Sequence, residues 1–118
     1  MGRIGMQGQS FSGHATYTPV DLFNFKSPGQ LALSRGGGYL SLDNGTTPLG
    51  RYNNANANGG DITDWASPTS STLGLPSGTQ DAYNAFAYPG QNGGVSGADL
   101  AEVAALGYGA RAYALNLA

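Results

Sequence analysis

Apolar residues recur along this chain in short bursts separated by turn-forming residues, with no long periodic run until the C-terminal part. The first burst, Leu22, Phe23 and Phe25, reads as a strand-like cluster, with Asp21 placed to cap a turn beside it. Pro28-Gly29 ends it at the central positions of a type II turn, where glycine accepts the positive φ required. Gln30 to Ser34 alternates loosely, with Leu31 and Leu33 on one side, until Gly36-Gly37-Gly38 interrupts. Tyr39 to Leu42 alternates again, with Leu40 and Leu42 on one face, and Asp43-Asn44-Gly45 supplies the positive-φ positions of a hairpin. Leu49 to Tyr52 is then the returning strand, which Pro48 places at an edge.

Asn53 to Gly60 reads as an Asn/Ala/Gly loop, followed by Trp65, the single tryptophan and the natural anchor, and by a loop over residues 66 to 78. The pattern predicts a short helix, TQDAYNAFA, capped by Thr79, with Asp81 near its positive end and a stop at Pro89-Gly90. The last element is the best marked. Ser96 and Asp99 form a capping box, with Asp in place of the usual Glu, and Leu100, Val103, Ala104 and Leu106 form the expected apolar face. Gly107 stands where a left-handed residue ends the helix. The expected fold class is therefore α+β: a loop-rich small domain with short β-hairpins and a C-terminal α-helix. Residues 1 to 15 are expected to be poorly ordered or not native to the domain, 16 to 108 form its body, and 109 to 118 a tail.

Composition agrees with a turn-rich chain. Of 118 residues, 20 are glycine and only 10% are charged, so little long helix is expected. A net charge of −2, with five scattered Lys and Arg, gives no electrostatic case for nucleic acid or an anionic membrane. The absence of cysteine excludes disulfides, thiolate metal sites and cysteine nucleophiles. No stretch approaches the roughly 18 apolar residues of a membrane span, and MGRIGMQGQS lacks the apolar core of a signal peptide.

Five segments in fixed order carry a likeness. TPVDLFNFKSPG, YLSLDNGTTPLGRYN, GGDITDWAS, DAYNAFAYPG and VSGADLAEVAALGY together resemble the C-terminal part of secreted bacterial zincin-like zinc metalloproteases, over about residues 16 to 108. In that family a zinc helix of the HExxH type lies upstream. A DLFRYSAPG-like segment, an AYFSIDGG-like hairpin, a GGDYGDWAS-like loop and a helix ending in LGY or LGW follow it. This chain has one histidine, His14, and one glutamate, Glu102, and so no HExxH. The resemblance therefore implies a scaffold without the zinc ligands or general base. It implies an extracellular parent that uses zinc, a non-catalytic role for this subdomain as scaffold and cleft wall, and the missing N-terminal catalytic half as partner; low charge, Gly/Asn richness and apolar surface left by a missing half point instead to a structural or self-associating protein.

Other candidates come from the residues alone. His14, in SFSGHATY, is either a general base or metal ligand, or an exposed loop histidine; Ser10, Ser12 and Asp21 are its neighbours in a weak serine-hydrolase reading. There is no G-x-S-x-G elbow. Asp61, Asp64 and Asp81 are candidate calcium ligands in Gly-rich sequence, against the alternative of turn and cap formation. Asn44-Gly45-Thr46 matches a glycosylation sequon that the hairpin turn also explains. Tyr17, Phe23, Phe25, Tyr39, Trp65, Tyr83 and Phe86 form either a binding platform or the small core.

Overall fold

Two chemical signals start the first elements of the chain. The Ser12-Gly13 dipeptide takes positive φ at both residues (51° and 79°), as a two-residue type I′ hairpin loop requires. It joins β1 (Gln9–Phe11) to β2 (His14–Thr16), so this hairpin begins inside the first fifteen residues. Next, Thr18-Pro19 opens a 3-10 helix, Pro19–Phe23, with proline at its first position and the Thr18 N–H donating to Asp21 Oδ2 at 2.7 Å. The expected strand across Leu22 to Phe25 accordingly begins only at Asn24, because capping chemistry captures Leu22 and Phe23 for the helical turn. Asp21 is the cap that the sequence suggested, and it also accepts from the Met6 N–H at 2.8 Å.

The computed structural model describes residues 4–66, 80–90 and 92–108. Its main sheet is built from β3 (Asn24–Ser27), β4 (Gln30–Leu31), β5 (Tyr39–Leu40) and β6 (Gly50–Arg51), in the order β4-β3-β5-β6 and antiparallel throughout. Pro28-Gly29 turns β3 into β4, with Gly29 at φ 74°. The expected hairpin across Asp43-Asn44-Gly45 is present in a longer form. Asn44 and Gly45 hold positive φ (58° and 84°), but the paired strands lie further out, at Tyr39–Leu40 and Gly50–Arg51. Ser41 organises the loop, its Oγ accepting from the Gly45 N–H at 3.1 Å and donating to Asp43 Oδ1 at 2.7 Å. The Asn-rich segment contains a single helical turn, α1 (Ala55–Asn58), ended by Gly59 at φ 76°.

The predicted helix at TQDAYNAFA is not formed over its described residues; Thr79 lies outside them. Gln80–Asp81 is instead strand β7, paired in parallel with β8 (Gly93–Gly94), and residues 82–86 are turns, bends and a bridge. Long-range backbone bonds override the weak helical pattern: the Trp65 N–H donates to Tyr83 O and the Ala85 N–H to Trp65 O, both at 2.8 Å. The C-terminal helix α2 (Gly97–Ala105) forms as expected, with its capping box, and Gly107 follows at φ 89°. The result is a small α+β domain of short, mostly antiparallel strands with a C-terminal helix.

The core sits where the sheet meets α2. Leu40, Tyr52, Trp65 and Ala98 are buried, with Phe23 and Leu49 packed against them. The Tyr52 and Trp65 rings stack, centroids 4.9 Å apart and 15° between planes. Gly50 is required beneath that stack, since a Cβ there would lie 2.9 Å from Trp65 Cζ3. The aromatic set divides: Phe25 and Trp65 are buried and Phe23 half-buried, whereas Tyr17, Tyr83 and Phe86 are exposed. The expected apolar face of α2 is also corrected. Its fully buried residues are Ala98, Asp99, Ala101 and Glu102, while Leu100, Val103, Ala104 and Leu106 are half-buried.

Candidate functional site

Two acidic residues enter the core because it holds donors for them. The Trp65 indole N–H donates to Asp99 Oδ1 at 2.7 Å, and the Tyr52 hydroxyl donates to Glu102 Oε1 at 2.7 Å. Three residues apart on α2, Asp99 and Glu102 share one helix face and meet the two stacked rings together. Asp99 also closes the helix cap: its Oδ2 accepts from the Ser96 N–H at 2.9 Å and from the Ser96 hydroxyl at 3.2 Å. A buried polar group of this kind is tolerable only when it is hydrogen-bonded, and each of these two acids has at least one donor inside the core.

Asp81 joins the same cluster from strand β7. It is buried, and its Oδ1 accepts from the Tyr83 N–H at 2.8 Å. Burial pushes its carboxyl up to about 6, with the neighbouring Asp99 adding in the same direction; the Ser96 hydroxyl and the Tyr83 N–H pull the other way. Raised carboxyl groups are common in active sites. Here, however, Asp81, Asp99 and Glu102 are not among the residues lining two open grooves of the described surface, one beside Arg51 and one beside Asp61. Their chemistry is directed at indole, phenol and main-chain donors of the protein itself.

The candidate calcium ligands are separated by the fold. Asp61 is exposed and Asp64 half-buried, both on the rim of a groove that Arg35 also lines, whereas Asp81 belongs to the buried cluster. Among the described residues, no group of three or more His, Cys, Asp or Glu is arranged to hold a metal ion. His14 is exposed on β2 opposite Phe11, and Ser10 and Ser12 are exposed on the same hairpin. Asp21 directs its carboxylate to the N–H groups of Met6 and Thr18, so it does not orient the His14 ring. Asn44 is exposed in the hairpin loop, where its positive φ serves the turn.

Sequence reasoning missed Tyr52 and Glu102 as partners, since they lie fifty residues apart in two different segments and no local pattern links them. The one available hint was the unusual pair of acids, Asp99 and Glu102, on one face of a helix with few charges. No helix among the described residues is long and apolar enough to cross a membrane. No protein-family model, curated protein or solved structure matches this chain.

Proposed function

We propose that this chain acts as a non-catalytic scaffold module of the kind found in the C-terminal part of secreted zincin-like metalloproteases, where it would form one wall of a substrate cleft. The observation that carries this reading is where the motif residues go. Trp65 of GGDITDWAS, Tyr52 of GRYN, Asp81 of the TQDAY segment and Asp99 of VSGAD meet in one buried hydrogen-bonded cluster. The segments that support the resemblance thus serve packing, which is what a scaffold requires, and the catalytic chemistry would belong to a separate half bearing the zinc helix. The test is thermal unfolding with and without a strong zinc chelator. A scaffold with no metal of its own keeps its Tm in chelator; a fall of several degrees, restored by zinc, would overturn the proposal.

A second reading, self-association, is favoured by exposed apolar side chains. Phe11 is 75% exposed and Leu22 60%, and Leu33 and Leu42 are exposed as well. Light scattering across a concentration series separates the two readings, because a monomer at high concentration excludes association.

A further inference from the structure

In the first part of the chain, Gln7, Asp21 and Asn24 are 0%, 1% and 1% exposed, and each buries an oxygen that has no hydrogen-bond partner: Gln7 Oε1, Asp21 Oδ1 and Asn24 Oδ1. Asp21 is the charged residue among them. Every hydrogen bond that reaches its carboxylate falls on Oδ2, from the Met6 N–H at 2.8 Å, the Thr18 N–H at 2.7 Å and the Thr18 hydroxyl at 3.2 Å. Oδ1 receives none, and no basic side chain among the described residues pairs with the group. A fully buried aspartate is rare unless it is paired or binds a metal, because the loss of hydration of the charge is otherwise uncompensated.

Gly5 marks where the unpartnered oxygens point. A Cβ on Gly5 would lie 2.8 Å from Asp21 Oδ1 and 3.4 Å from Gln7 Oε1, with the Thr63 Cγ2 methyl as a further wall. Two acceptor oxygens from separate segments therefore face one small cradle beside a glycine. The Gln7 amide is held in this sense by its other end, since Nε2 donates to Gly37 O at 3.5 Å. Turning the amide over would give Asp21 a donor only by setting Gln7 Oε1 against the Gly37 carbonyl, oxygen against oxygen. Asn24 Nδ2 reaches the same carbonyl at 3.5 Å, so Gly37 O orients both amides.

We propose that Asp21 Oδ1 and Gln7 Oε1 bind a calcium ion. Calcium takes hard oxygen ligands, combines carboxylates with amide carbonyls, and completes its shell with water. Its charge answers the buried carboxylate, which a water molecule donating to the same two oxygens would not do. Gly5 and Thr63 also line the open groove of about 490 Å³ beside Asp61, which gives the ion and its waters a way in. Calcium affinity follows the charge of the ligand set, so a single carboxylate places the dissociation constant at the weak end, about 0.1–1 mM. The ion would tie the start of the chain, through Gln7, to the 3-10 helix that Asp21 caps. The proposal does not rest on the scaffold reading, and a chelator that removes trace zinc does not bear on a calcium site this weak.

The test is calorimetric titration and thermal unfolding of the full chain, stripped of divalent metal, with calcium chloride, magnesium chloride and sodium chloride at matched ionic strength. The expected result is saturable calcium binding at about 0.1–1 mM with a matching rise in Tm, and a weaker response or none from magnesium and sodium. Gln7→Glu adds a second carboxylate to the cradle and is expected to tighten calcium binding about ten-fold, whereas a merely structural Gln7 predicts a loss of stability that calcium does not restore. Asp21→Asn keeps an oxygen for the cap, removes the charge, and is expected to weaken binding about ten-fold or more. The unsubstituted chain decides the matter should either variant fail to fold. No saturable calcium binding, a response that magnesium or sodium reproduces, or calcium binding that both folded variants leave unchanged would each overturn the proposal.

Discussion

The Trp65 indole N–H donates to Asp99 Oδ1 at 2.7 Å, joining the middle of the chain to the first turn of its last helix. One carboxylate thus serves two ends of the structure, since its other oxygen accepts from the Ser96 N–H and caps α2. Trp65→Phe keeps most of the ring burial and removes only this donor. It is expected to cost about 1–3 kcal/mol in urea unfolding. In a double-mutant cycle with Asp99→Asn, the two losses should be strongly non-additive; additive losses would show that the bond contributes little.

Gly50 lies under the Tyr52–Trp65 stack with no room for a methyl group. Gly50→Ala is expected to destabilise by about 1–3 kcal/mol through displacement of the Trp65 ring, although alanine suits a strand better than glycine. A red shift of tryptophan emission should accompany the loss of stability, reporting that the ring has moved toward water.

The cap of α2 lies within the buried cluster, since Ser96 is buried and its hydroxyl reaches both Asp99 and Asp81. Ser96 Oγ accepts from the Asp99 N–H at 3.3 Å, as the Ser96 N–H donates to Asp99. Ser96→Ala should cost about 0.5–2 kcal/mol, and Ser96→Gly less than Ser96→Ala if backbone capping geometry dominates. Thermal unfolding followed at a helix-sensitive wavelength measures the difference.

Two aspartates give opposite pH signatures. The Asp81 carboxyl is raised from 3.8 to about 6 in the folded chain, so its contribution is fully present below pH 3.8 and is lost as pH rises through about 6. The Asp43 carboxyl is lowered from 3.8 to about 2, first by the Thr47 hydroxyl and then by Ser41, so its contribution is present above pH 3.8 and is lost as pH falls through about 2. Asp81→Asn should therefore flatten the decline in stability between roughly pH 4 and 6, while Asp43→Asn should flatten only the acid limb. Denaturant midpoints measured across pH for both variants check the two signs.

These relationships explain which parts of the structure could be read from the chain. Ser96-x-x-Asp99, Gly107, Pro28-Gly29 and Asn44-Gly45 act within a few residues of themselves, and each holds the predicted place. The Ser12-Gly13 turn carried an equally local signal that the polar character of its surroundings concealed. The segment after Thr79 was illegible for a different reason: Gln80 and Asp81 pair with Gly93 and Gly94, and Tyr83 and Ala85 bond to Trp65. Such distant partners decide between strand and helix where local propensity is weak. The buried face of α2 was misassigned on the same grounds. Acids that look solvent-facing in sequence are drawn inside by an indole and a phenol fifty or fewer residues away.

The central claim is that the motif residues of this chain hold a scaffold together and perform no peptidase chemistry. The most direct measurement is to incubate the purified chain with zinc and a broad peptide library and to read cleavage by mass spectrometry, with and without chelator. The account predicts no chelator-sensitive cleavage, and none that depends on His14. Robust cleavage that a chelator abolishes, or that His14→Ala removes while the fold is retained, would contradict it.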